Sequence, residues 1–129
     1  MSSKETKFSN ELRDYLKKNG AISQKMHGNL FQEGVPDLLV GTPDGQIILI
    51  ENKWTMSYSL TMKEIWKMLR VSQKSFFKRW KEYPIYVCVG SPRGVILLMA
   101  DHFQKEVEDE KVEWMTMRDA VGPLVGDYD

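Results

Sequence analysis

The sequence predicts one α/β domain in the order α-β-β-β-α-β, a mixed central sheet flanked by helices, followed by an acidic C-terminal extension. Three observations carry that expectation. The chain has 129 residues, 42% hydrophobic and 28% charged, enough for one domain with a real core and too short for a second. Two apolar runs flank a Pro43-Asp44-Gly45 reversal, where proline presets φ and glycine permits the turn. A helical apolar period then separates the second run from another strand, so the strands on either side should be parallel and joined by a right-handed crossover.

The first element is a helix, because Phe8, Leu12, Tyr15 and Leu16 recur at helical spacing and Asn19-Gly20 ends the run. Residues 21–27 alternate loosely as a strand, and 28–34 read as loop. The hairpin follows, with strands at 37–40 and 46–53, the second apolar on both faces up to Glu51 and therefore central. Met62, Ile65, Trp66, Leu69, Phe76, Phe77 and Trp80 make one long amphipathic helix or two shorter ones, with a break at Val71-Ser72 and Ser72 as N-cap. Strands at 85–89 and 95–100 turn at Ser91-Pro92-Arg93-Gly94. The core spans about 8–100. Residues 101–129 form the extension, with a short helix capped by Thr116 and a frayed end from Gly126.

Eighteen basic residues balance eighteen acidic ones, which excludes action through bulk positive charge. The distribution is polarised. Between Lys63 and Lys81 seven basic residues face one acidic, while between Asp101 and Asp119 seven acidic residues face three basic. The lone Cys88 forms no internal disulfide, and no apolar run approaches a membrane span, so the chain reads as a soluble, cytoplasmic protein with no membrane partner.

Asp37, Glu51 and Lys53 stand out because apolar strand residues surround them. Side chains two apart on a strand share a face, so Glu51 and Lys53 project together, and the hairpin returns them beside Asp37. Two carboxylates converging next to an ammonium are unfavourable in a partly buried place unless something uses them. Mg²⁺ does, since it takes oxygen ligands and needs only one or two carboxylates, and Lys53 could then orient a water or stabilise charge on a phosphate. Asp44, in the second Pro-Asp pair, reads as a turn residue.

The stretch Gly34-Val35-Pro36-Asp37, with Glu51 and Lys53 on the following strand, resembles the PD-(D/E)XK nuclease superfamily, and within it the VRR-NUC and Holliday-junction-resolvase branch. Leu69 to Gln73 followed by Phe76 resembles the glutamine-bearing helix of that branch. The resemblance implies a restriction-endonuclease-like fold and a Mg²⁺-dependent DNA endonuclease, with Mn²⁺ able to substitute. It implies Asp37, Glu51, the Asn52 carbonyl and Glu11 as the metal set, Lys53 and Gln73 as catalytic partners, branched or junction DNA as substrate, and a homodimer. Two other functions remain open: a sequence-specific homing or restriction-like nuclease, and a non-catalytic DNA-binding protein of the same fold. Glu11 reads equally well as a solvated helix carboxylate. Gln73, on an apolar face, should reach the site or cap a backbone group. His27 is a candidate for the site, but a lone histidine in a loop or strand end is more often merely satisfied, and Trp54, Trp66 and Trp80 read as packing residues first, Trp54 being the best candidate for more. On a continuous helix Lys63, Lys67, Arg70, Lys74, Lys78 and Lys81 would fall within about 80° of one another, a stripe able to track a DNA backbone or simply a solvated face.

Overall fold

The computed structural model describes residues 3–26, 34–104 and 110–128. Helix α1 (Lys4–Lys18) leads into β1 (Ile22–Lys25), β2 (Leu38–Gly41) and β3 (Ile47–Trp54). A two-residue strand β4 (Leu60–Thr61), helices α2 (Met62–Met68) and α3 (Val71–Arg79), and strands β5 (Ile85–Ser91) and β6 (Gly94–Met99) follow. A 3₁₀ turn (Ala100–Gln104), β7 (Lys111–Val112) and α4 (Met117–Val125) complete the described elements. His27 lies outside the described residues.

The sheet runs β1-β2-β3-β5-β6, antiparallel throughout except for β3 and β5, which are parallel as the crossover requires. One apolar layer lies under α1 and α4, where Phe8, Leu12 and Leu16 meet Ile48, Ile50, Val121 and Val125. The other lies under α2, α3 and the 3₁₀ turn, where Ile65, Phe76, Phe77 and Phe103 meet Val87 and Val89. Strand β3 feeds both layers, which is why its run is apolar without alternation.

Three expectations need correction. Of the two helical readings the two shorter helices hold, but the break falls before Val71-Ser72: Leu69 and Arg70 are extended (ψ 139° and 159°), so α2 and α3 are separate and the six cations do not share one straight line. Ser72 is not the N-cap. Arg70 holds that position, and its N–H donates to Gln73 Oε1 at 2.8 Å, the buried glutamine at N3 reaching back to the N-cap backbone. Nor is the C-terminal segment frayed as far as residue 127. Tyr15 Oη donates to Asp127 Oδ2 at 2.6 Å and Arg118 pairs with the same carboxylate at 3.2 Å. Beyond the 3₁₀ turn the chain is part of the domain: β7 pairs with β4, Met115 bridges to Val95, and α4, capped by Thr116 as expected, closes one face of the core.

Candidate active site

Leu38 pairs with Ile50, so one step further along the hairpin Asp37 stands opposite Glu51. Asp37 Oδ2 accepts a hydrogen bond from the Asn52 N–H at 2.9 Å, which fixes one carboxylate oxygen and leaves the other for a ligand. Glu51 is 2% exposed, and Lys53 Nζ lies 3.6 Å from its Oε2. The other oxygen, Oε1, is buried and has no partner among the described residues. Burial first, and the Asp37 charge second, push the Glu51 carboxyl up to about 8, against the opposing pull of Lys53 and Arg70. An orphaned carboxylate oxygen beside a second carboxylate is the donor set a hard divalent cation satisfies, so the residues present fit Mg²⁺.

The loop bearing Asp37 is held by α3. At Gly34 (φ +84°) a Cβ would come within 2.2 Å of the Ser72 carbonyl oxygen, so only glycine lets the backbone lie against the start of that helix. The Arg70 cap that Gln73 makes lies in the same turn, which couples this loop, the helix start and the Glu51 environment.

Not every expected residue is brought here. Glu11 is exposed and lines a separate depression with Phe8, Trp54 and Arg93, and no group of three or more metal-ligating side chains converges among the described residues. Helical phase is the reason: Glu11 is about 240° around α1 from Glu5. Glu5, with Ser9 one turn on, lines the cavity of about 290 Å³ that Asp37 and Asn52 share with Ser3, Thr6, Lys25 and Met26. The sequence carries that signal as the i, i+4 pair Glu5 and Ser9, whereas Glu11 rests on the family resemblance. Asn52 turns its side chain toward α1, donating from Nδ2 to Ser9 Oγ at 3.1 Å, on the strand face opposite that of Glu51 and Lys53. Gln73 is 1% exposed and spends its carbonyl oxygen on the Arg70 cap. Lys63, Lys67, Arg70, Lys78 and Lys81 are exposed, whereas Lys74 lies 5.2 Å above the Trp66 ring. Trp54 meets Phe8 and Trp66 stacks on Phe103, packing as expected, whereas Trp80 stacks on Phe76 but stays 41% exposed.

Among the described residues no helix is long and apolar enough to cross a membrane. Among solved structures the fold is similar to that of Hjc, a Holliday junction resolvase from the archaeal hyperthermophile Archaeoglobus fulgidus, with TM-score 0.54 and 20% identity over 84% of this chain and 87% of that one. No family model matches the sequence, and no curated protein matches it. The likeness is one of fold: a single mixed α/β domain built on a five-stranded sheet with flanking helices.

Proposed function

We propose that this protein is a metal-dependent DNA endonuclease of the PD-(D/E)XK type, close in pattern to the VRR-NUC branch, that selects branched DNA such as a Holliday junction. The observation that carries the reading is the buried Glu51 carboxylate opposite Asp37, whose Oε1 has no hydrogen-bond partner among the described residues and whose Oε2 lies 3.6 Å from Lys53 Nζ. The shared fold with a Holliday junction resolvase supports it.

In this reading Asp37 and Glu51 hold Mg²⁺ or Mn²⁺, with the Asn52 carbonyl as a further oxygen donor. The cation, when bound, makes water acidic enough to act as a nucleophile and withdraws charge from the phosphate. The Asn52 N–H fixes Asp37 so that one of its oxygens always faces the site. Glu51, once deprotonated, anchors the Lys53 ammonium, which donates to the attacking water or to a non-bridging phosphate oxygen. Cleavage leaves a 5′-phosphate, and two copies of the chain, acting as a homodimer, cut opposed strands.

The test is cleavage of a four-way junction, a flap, single strand and plain duplex side by side in Mg²⁺. The junction and flap should be cut well ahead of the duplex; equal cutting of all duplexes, or cutting at one sequence regardless of branching, would replace structure selection with sequence recognition.

Phosphate contact by the separated cations of α2 and α3 makes a quantitative demand. Each neutralised phosphate contributes about 0.9 to the slope of log affinity against log salt. Replacing Lys67, Lys74 and Lys78 together by Gln should flatten that slope by roughly 2 to 3 and weaken binding on every DNA shape. An unchanged slope would reduce these lysines to surface.

A further inference from the structure

The loop 55–59 leaves β3 directly after Lys53 and Trp54 and carries Met56, 54% exposed, and Tyr58, 81% exposed. It is braced along its length. The Thr55 N–H donates to the Gly90 carbonyl at 3.0 Å, and the Ser57 N–H to Thr55 Oγ1 at 3.2 Å. Arg93, in the β5-β6 turn, donates to the carbonyls of Met56 and Ser57 at 3.2 and 3.5 Å, and Trp114 Nε1 donates to that of Tyr58 at 2.9 Å. The Arg93 guanidinium also lies 3.5 Å from the centroid of the Tyr58 ring. One face of the ring is therefore covered by a cation, and at 81% exposure the other is open.

An aromatic ring left in water contributes nothing to the core, yet here four hydrogen bonds to the rest of the fold, two of them from the guanidinium that also stacks on the ring, fix the loop that presents it. Ordering done before binding does not have to be done during it, so such a ring is prepared for a flat partner. The cation on its back draws electron density from the ring and favours stacking against an electron-rich heterocycle. The position agrees. The loop follows the carboxyl end of β3 and bonds that of its parallel neighbour β5 through Gly90, and Lys4 Nζ contacts Met56 Sδ at 3.7 Å, tying it to the first turn of α1. Ser3, Glu5 and Thr6 of that same turn line the cavity that contains Asp37.

We infer that Tyr58, backed by Arg93, is a stacking platform for an unstacked base at the branch point of the DNA, an inference that rests on the proposed nuclease function. A continuous duplex keeps its bases stacked on one another and offers this ring no partner; a branch point does. The platform thus supplies preference for branched over plain DNA, while the lysines of α2 and α3 supply affinity for either.

The experiment compares wild type with Tyr58→Phe and Tyr58→Leu, in Ca²⁺, on a four-way junction with 2-aminopurine at the branch point and on a linear duplex of the same arm sequence. Loss of one aromatic stacking contact corresponds to a weakening of roughly 5- to 150-fold. Tyr58→Leu should show that loss on the junction, less than about twofold on the duplex, and no quenching of 2-aminopurine, while Tyr58→Phe behaves as wild type. Equal losses on junction and duplex, or a Leu variant that binds and quenches like wild type, overturn the platform. A wild type that binds the junction in Ca²⁺ and cleaves it in Mg²⁺, beside a Leu variant unaffected in both, overturns the platform alone. A wild type that binds neither DNA overturns the nuclease reading with it.

Discussion

Glu51→Gln is expected to abolish DNA cleavage and yet, in EDTA at about pH 9, to raise the thermal midpoint by at least about 5 °C. The two effects share one cause. Glu51 is 2% exposed and its carboxyl is pushed up to about 8 by burial and by Asp37, against an ordinary value of 4.5. Without metal, the folded chain keeps the Glu51 proton from pH 4.5 up to about 8, while the unfolded chain has released it. The folded state therefore holds more protons across that window, so stability falls as pH rises through it, by up to about 5 kcal/mol at 1.36 kcal/mol per unit. Glutamine carries no charge to desolvate and removes this dependence. The advantage of the variant should shrink toward pH 5 and vanish below the ordinary carboxylate range. Mg²⁺ should raise the wild-type midpoint at about pH 8 to 9, where the carboxylate it needs is available, and leave the variant unmoved. Thermal melts of both proteins at several pH values, with and without Mg²⁺, check each sign. A variant destabilised at every pH would mean that the Glu51 carboxylate is already satisfied.

Gly34→Ala should lower stability by about 2 to 4 kcal/mol and cut the cleavage rate by at least roughly tenfold at temperatures where the variant stays folded. A Cβ there meets the Ser72 carbonyl oxygen at 2.2 Å and its carbon at 2.5 Å, both backbone atoms that no rotamer change can move aside. The φ of +84° adds the left-handed strain that an L side chain brings. Relief requires the loop to lift from the start of α3. Asp37 is three residues away and would shift relative to Glu51, and a displacement of about 1 Å suffices for a large loss of rate. Denaturant unfolding and single-turnover rates measured on the same preparation separate the two effects. Wild-type behaviour in both would detach the loop from the assembly of the site.

The hairpin, the crossover and the juxtaposition of Asp37, Glu51 and Lys53 were legible because each rests on a local rule. Strand period sets which side chains share a face, a Pro-Asp-Gly turn sets the return, and a helix between strands sets the parallel pair. What escaped depends on contacts distant in sequence. Strands β4 and β7 are two residues each, too short for any period, and exist because Leu60 and Val112 meet. A break between α2 and α3 is expected at Val71-Ser72 as one of two alternatives; only its place, at Leu69-Arg70, is hidden by the unbroken apolar period. Gln73 marks it, by taking the Arg70 N–H that a continuous helix would have bonded to its own backbone. On α1 the apolar stripe of Phe8, Leu12 and Leu16 is the buried face, but it locates the core face only. The face turned toward Asp37 is set by how the helix lies on the sheet, which selects Glu5 and Ser9 and turns Glu11 elsewhere.

The most direct measurement is single-turnover cleavage of an end-labelled four-way junction by wild type, Asp37→Ala and Lys53→Ala, in Mg²⁺ and in EDTA. Wild type should cut in Mg²⁺ or Mn²⁺, bind without cutting in Ca²⁺, and be inert in EDTA. Both variants should bind the junction and fail to cut it. Cutting by wild type that is undiminished in EDTA, or wild-type rates in either variant, would contradict a metal-dependent centre built from Asp37, Glu51 and Lys53.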